Sequence, residues 1–365
     1  MRGIRVYCLA LACVLGVAFS APALGAGKSQ AAKARPAAAR VFRVGVLEAG
    51  PNWVHEKMLE ALETAFKAKG WGDRVIFPPD ARKTGAWNKG GRNQTQAYAA
   101  ELMARQDLDC IIGMGTEAAL ALMAKNNRHT PVVAMTLSDP IASGLVKNEQ
   151  DSGVDNLTTA IIPDQWLNML RMFYSVVHFK KLGVIYTNTR PGRTYANVED
   201  ARDVAREKGV PLLEYSSLEG EATAAQCMKG LDALIAKGMD AFYVPDIPCF
   251  DWTGNDPRPL FEHLAKHKVS TFARTGVALV QLGALMGSCS FDMRPLGEFH
   301  AAQMIAIFQG RKPRELSMIT KGDLGLALNL ETARKIGRDF SSDVLVSSDV
   351  IVSRTLSLDS VRKWY

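Results

Sequence analysis

Residues 131–148 read PVVAMTLSDPIASGLVKN. The opening Pro-Val-Val-Ala-Met is the start of a strand buried on both faces. The next five residues, Thr136-Leu-Ser138-Asp139-Pro140, crowd two hydroxyls, a carboxylate and a ring-locked backbone where that strand ends. A connecting turn needs only one of them. In open α/β sheets ligands sit beyond the carboxyl ends of the strands, so polar residues gathered there belong to a crevice. Asp139 before Pro140 is also an ordinary turn signal, and that reading stays open beside the first.

Working outward, strand-length apolar runs alternate with amphipathic stretches. Strands are predicted at 41–47, 75–77, 109–114 and 132–136, and helices at 54–69, 94–105 and 117–124. This βαβα order implies a parallel sheet with helices on both faces. The pattern then restarts. Helices at 163–177, 197–208, 224–237 and 260–267 alternate with strands at 182–186, 212–215, 241–244 and 270–272. The chain is therefore expected to be α/β, with two doubly wound parallel-sheet lobes and a cleft between them. The tail after residue 284 holds a strand, a helix at 296–308 and a further helix-strand unit to about residue 352. It is too short for a third domain and is expected to complete the two lobes, so the chain crosses between them more than once.

Gly113-Met-Gly115-Thr-Glu-Ala118 matches GxGxxA between a strand and a helix, with Asp139 about twenty residues on. The dinucleotide fingerprint belongs to the first βα turn, whereas this match follows the third strand. No cofactor is expected. What remains is Thr116, with Glu117 beside it, at the cap position of a helix whose first N–H groups face the crevice. That arrangement suits a carboxylate or other anion, or is a plain helix cap. Thr116, Thr136 and Ser138 would form one hydrogen-bonding wall from adjacent strand ends.

The second sheet offers a facing wall. It consists of Tyr186-Thr-Asn188-Thr-Arg190, Tyr243-Val-Pro-Asp246-Ile-Pro-Cys249-Phe250 and Ala273-Arg274-Thr275. Asp246 opposite a carboxylate-binding helix end would suit a zwitterion such as an amino acid. Trp53, after the first strand, is an aromatic candidate for covering the ligand, as are Phe250 and Trp252. GxSxG, HExxH, the P-loop and a Cys-His pair in a recognisable context are absent, and six histidines are scattered, so no enzyme is expected.

The first 26 residues carry Arg2 and Arg5, an apolar run from Val6 to Phe19, and small residues at 21–26. This is the three-part pattern of a secretory signal peptide, cleaved near residue 25. Residues 27–40 read as a disordered leader. No later segment approaches ~20 apolar residues, so an exported, periplasmic and soluble mature chain is expected. The formal charge of +7 rests on six basic residues before position 41; without them 38 basic groups face 37 acidic ones. The basic patch of a nucleic-acid binder is missing, and no nucleic-acid partner is expected. Cys110, Cys227, Cys249 and Cys289 survive cleavage without metal-site spacing. One disulfide, Cys249–Cys289, is the expected pair because both follow strand-like segments; four free thiols are the alternative.

Arg43-Val-Gly-Val-Leu47, Ile-Gly-Met-Gly-Thr116-Glu-Ala-Ala and Asp139-Pro-Ile-Ala-Ser-Gly-Leu-Val146 resemble the ABC-transporter substrate-binding proteins of the tryptophan/tyrosine-type group. Leu182-Gly-Val-Ile-Tyr186, Tyr243-Val-Pro, Gly283-Ala-Leu-Met-Gly and Leu326-Ala-Leu-Asn329 through Gly337 extend the likeness over nearly all of the mature chain. The resemblance implies a type I periplasmic binding fold with three crossing segments. Lobe one would be 41–160 plus about 291–316, and lobe two 161–290 plus about 317–365. It further implies that Thr116, Thr136 and Ser138 line lobe one, that Tyr186, Asn188 and Asp246 line lobe two, and that Asp292 lies near a crossing. A monomer delivering a small organic solute, such as an aromatic or other amino acid, to a membrane ABC permease is the function implied. Presentation to a sensor kinase or chemoreceptor, and a secreted enzyme on the same scaffold, are the alternatives. The chain departs from the group at Asp246-Ile-Pro-Cys249-Phe-Asp-Trp252 and at 83–92.

Overall fold

The computed structural model describes residues 40–86, 90–220, 222–289, 292–322 and 325–364. The expected signal peptide and all of the leader before Arg40 lie outside them. Six strands make the first sheet: β1 Phe42–Glu48, β2 Val75–Ile76, β3 Arg82–Thr84, β4 Cys110–Met114, β5 Val132–Met135 and β6 Leu157–Thr159. They run in the order β2-β1-β4-β5-β6 with every pair parallel, and β3 also pairs β1. β2 and β3 share one edge of β1, separated by the 3₁₀ turn Pro79–Ala81. Two prolines, Pro78 and Pro79, interrupt what would otherwise be one edge strand, because proline cannot donate to the ladder.

The second sheet holds β7 Leu182–Ile185, β8 Leu212–Tyr215, β9 Ala241–Val244, β10 Ser270–Ala273, β11 Met286–Ser288, β12 Leu326–Asn329 and β13 Val350–Val352. Its order is β13-β12-β11-β10-β9-β7-β8, and only the β11–β12 pair is antiparallel. In both sheets the strand order reverses beside the first strand, between β1 and β4 and between β7 and β9. Loops leaving the strand ends at such a point diverge and leave a crevice.

Each sheet is sealed on both faces. The helices Trp53–Ala68 and Arg294–Phe308 cover one face of the first sheet, through Met58, Leu62, Phe66, Ala301 and Met304. The helices Gly91–Ala104 and Thr116–Ala124 cover the other, through Ala99, Leu102, Ala118 and Leu122. The pairing of Trp53–Ala68 with Arg294–Phe308 is close: a Cβ on Gly297 would lie 2.7 Å from the Ala61 carbonyl carbon. On the second sheet, Met169, Leu170, Phe173 and Val177 form the buried stripe of the helix Gln165–Val177. Burying each such side chain stabilises by about 1.5–3 kcal/mol.

The chain passes between the sheets three times: after β6, after β11 and again before β12. The first and third passages run side by side. Ile161 and Ile319 form a parallel bridge, with Ile161 N–H donating to the Met318 carbonyl at 2.7 Å. Gln303, buried in the helix Arg294–Phe308, secures both. Its amide nitrogen lies 3.1 Å from Thr158 Oγ1, 2.9 Å from the Thr159 carbonyl and 2.9 Å from the Ser317 carbonyl.

The disulfide differs from the expected one. Cys227, in the helix Ala224–Ala236, is bonded to Cys249, in the 3₁₀ turn Pro248–Phe250 after β9. Cys289 follows β11, and β10 stands between β9 and β11, which at the usual strand spacing separates them by about 10 Å. Its thiol lies against Gly325, and burial, then the Asp349 carboxylate, push its pKa up to about 11. Cys110 is free and buried. The bond closes a loop 22 residues apart in sequence. The chain-entropy model assigns such a loop about 3 kcal/mol. Replacing both Cys227 and Cys249 by alanine is therefore expected to lower the denaturation midpoint, and a reductant that lowers the wild-type midpoint should leave the double variant unmoved. Equal sensitivity of both proteins would show the bridge to be absent in solution.

Candidate functional site

The loops at the carboxyl ends of both sheets meet around one turn, Thr136–Ser143, which leaves β5. Thr136 adopts the left-handed conformation, φ 54°, and its hydroxyl bonds back to the Met135 carbonyl at 2.7 Å. Asp139 accepts from the Ile141 and Ala142 N–H groups at 2.9 and 2.8 Å, so its carboxylate closes the turn. Ser138 lies between them, 5 % exposed, and is bonded three ways. Its N–H donates to Thr116 Oγ1 at 3.3 Å, its hydroxyl accepts from Arg274 Nη2 at 3.0 Å, and its carbonyl accepts from Trp166 Nε1. Thr116 belongs to the first sheet's helix layer, and Arg274 and Trp166 to the second lobe. One serine therefore joins both walls.

Thr116 is the first residue of its helix and not the cap. The cap is Gly115, at φ 82°, a conformation that favours glycine. Gly113 serves packing, since a Cβ there would meet Ala119 Cα at 3.1 Å. The two glycines of the GxGxxA match are thus accounted for by a tight strand-to-helix turn. Beneath it lies His55, buried, with Nδ1 unpartnered and Nε2 3.3 Å from the Cβ position of Gly115. Burial lowers its pKa to about 4 and keeps the ring neutral.

Arg274 follows β10 and is the most unusual group in the gap. It is 5 % exposed, donates from Nη1 to the Tyr195 carbonyl at 2.8 Å, and stacks over the Trp166 ring at 4.0 Å. Nε makes no hydrogen bond. No carboxylate among the described residues pairs with it. Asp246 stands nearby. It is exposed, yet the surrounding protein raises its carboxyl pKa by desolvation against the opposing pull of Arg274. Its N–H donates to the Tyr195 carbonyl at 3.0 Å. The Tyr195 phenol is driven up by burial and then by Glu117 and Asp246, which places charges from both lobes around it. Glu117 itself faces Arg92 Nη2 at 3.5 Å.

The walls also touch elsewhere. Trp53 and Trp252 rings lie 5.6 Å apart, so the aromatic after β1 meets the loop held by the Cys227–Cys249 bond. Arg190 Nε donates to the Ala142 carbonyl at 2.7 Å. Beside that contact lies a cavity of about 170 Å³, lined by Asp139, Arg190, Arg193, Asn197 and Asp200 among others.

The expected residues thus divide. Thr116, Ser138 and Arg274 are bonded at the junction, with Asp246 beside Arg274 and Glu117 at the edge, while Trp53 meets the other wall separately, at Trp252. Asn188 is exposed and accepts from Arg193 Nη1 at 3.0 Å. Tyr186 is buried, and its hydroxyl donates to Glu214 at 2.5 Å, inside the second lobe; burial and Glu214 push its pKa up to about 12. Asp292 is tied to its own helix by a two-pronged pair with Arg294, 2.8 and 2.6 Å. Sequence reasoning did not single out Trp166, Tyr195, Arg193 or Asp200. The only available signal was the pair of arginines in Arg190-Pro-Gly-Arg193 directly beyond a strand end.

Asp200 gives the cavity a pH response. Burial, reinforced by the charge of Asp139, raises its pKa from 3.8 to about 6. The folded value lies above the unfolded one, so the fold favours the protonated acid. That contribution is complete below the unfolded pKa and is lost as pH rises through about 6. Asp200→Asn is expected to raise the denaturation midpoint at neutral pH, by about 1–3 kcal/mol in stability, and to flatten its decline with rising pH. Unchanged pH profiles in scanning calorimetry would mean that Asp200 ionises as freely in the fold as in water.

Comparison with known proteins agrees with this architecture. The family of ABC transporter substrate binding proteins matches residues 81–352. No curated protein sequence matches significantly. Among solved structures, a conserved domain protein from Vibrio cholerae O1 biovar eltor is 20 % identical, with TM-score 0.69, over 86 % of this chain and 100 % of that one. An ABC domain from Streptococcus pneumonia in complex with L-Trp is 18 % identical, with TM-score 0.69 and the same coverage. The ligand-free, open form of a substrate-binding protein with adhesive properties from Clostridium difficile is 19 % identical, with TM-score 0.61, over 86 % and 100 %. The fold is that of the type I periplasmic binding proteins, two lobes of parallel-dominated sheet. With three quarters of its length under one family's pattern and the strand ends of both lobes closing on Ser138, the chain belongs to the ABC transporter substrate binding proteins.

Proposed function

We propose that the protein is exported, captures an amino acid or a closely related small organic solute between its lobes, and delivers it to a membrane ABC permease. Lobe one would comprise residues 41–160 with about 291–316, and lobe two 161–290 with about 317–365. The observation that carries this reading is the junction at Ser138, where groups from both strand-end walls share one turn. Arg274 and Asp246 stand close together there without a mutual ion pair, as a zwitterion requires of its two partners. The likeness to a protein solved with L-Trp supports an amino-acid ligand. Export is supported by the N-terminal sequence pattern and by a disulfide, a bond favoured in oxidising compartments.

The mechanism is capture without covalent chemistry. A solute that touches both walls binds the closed arrangement better than the open one, and that difference in affinity drives closure. A single chain supplies both walls, so a monomer suffices.

A library of amino acids and related metabolites, screened by thermal denaturation of the mature chain, tests the proposal. A true ligand at 100 times its dissociation constant should add about 2.7 kcal/mol of stability. Thr116→Ala combined with Ser138→Ala should remove that gain while the unliganded double variant still unfolds cooperatively. A library without a single stabilising compound would sink the solute-binding reading, and a gain undiminished in the double variant would remove these hydroxyls from the site.

A further inference from the structure

We propose that Arg274 is the anchor for a carboxylate on the solute, so that the protein selects for carboxylic acids over their neutral derivatives. The inference rests on the solute-binding reading above and assigns a group to it. A buried guanidinium ordinarily sits against a carboxylate, because an unpaired ion out of water costs several kcal/mol. Arg274 touches instead a hydroxyl, a carbonyl and an indole face, all uncharged; Asp246 and Asp200 act on it through space without pairing with it, and its buried Nε has nothing to donate to. Its missing partner is an anion.

The place where that anion would sit is built from both lobes. Arg274 Nη2 reaches Ser138, and Ser138 in turn is bonded to Thr116, the first residue of the helix Thr116–Ala124. A carboxylate lying between guanidinium and helix end would have a two-pronged donor on one side and the helix N-terminal N–H groups on the other. Ser138 Oγ occupies the acceptor position that one carboxylate oxygen would take. Nε is shut off from water in the present arrangement, so the acid enters with the lobes apart and is enclosed as they meet. The Trp166 face holds the guanidinium plane in line for this; a lysine ammonium could rest on the same ring but has no planar fork to align.

The test uses the mature wild-type chain, Arg274→Met and Arg274→Lys, titrated calorimetrically with L-amino acids and small mono- and dicarboxylates, each beside its own carboxamide. The expected result is that every binder is a free acid, that its amide binds about 100-fold or more weakly, and that Arg274→Met loses a similar factor. Arg274→Lys should fall between the two, since it keeps the charge and loses the fork. An amide that binds as well as its acid to the wild-type chain would overturn the anchor whatever the variants do, and leave solute binding intact. So would an Arg274→Met protein of normal cooperativity and normal affinity. Binding confined to neutral compounds would overturn the anchor alone, and no binding by any compound, charged or neutral, would overturn both readings.

Discussion

Everything in the cleft depends on the way Ser138 is held. Its amide, hydroxyl and carbonyl are each committed, one to the helix layer of its own lobe and two to side chains of the other. A residue so placed cannot shift without breaking a bond on one wall or the other. The spacing of the walls at this point is therefore tied to a serine, alongside the Trp53–Trp252 and Arg190–Ala142 contacts. Net hydrogen bonds of this kind contribute about 0.5–1.5 kcal/mol each, and those to a charged donor about 1.5–3, so the junction is stable enough to close and weak enough to open.

The loop that opposes it is braced from behind. The Cys227–Cys249 bond fixes the turn after β9, and that turn carries Asp246 at one end and leads to Trp252 at the other. Helix, disulfide, acidic group and aromatic contact thus act on one short segment. Asp246 keeps its place on the wall only if the backbone that carries it is held. The bridge provides that restraint.

Most of the fold was legible in the sequence because parallel strands buried on both faces are continuous apolar runs, and these survive any local ambiguity. Val132–Met135 and Ala241–Val244 are of this kind. β3 and β6 were not legible: three residues such as Arg82-Lys-Thr84 carry no periodicity, and only pairing with β1 makes them a strand. The site was legible as a place and less so as a set of residues. Position beyond a strand end identified Thr116, Ser138, Asp246 and Arg274 correctly as neighbours. It could not reveal that Tyr186 turns inward to Glu214, because one residue decides which face of a strand a side chain takes. The disulfide failed for a related reason. Both Cys249 and Cys289 follow strands, but strand adjacency depends on sheet order, which the linear sequence does not state.

Gln303 has a bearing on how such a molecule moves. By gripping the roots of two neighbouring passages from inside one lobe, it makes them a paired ribbon with a common base. A single strand would behave as a ball joint, free to swivel in any sense. Two strands pinned at the same depth behave as a door on two pins, with one axis of swing. Arg274 sits beyond β10 on the side that such a swing would bring against Ser138.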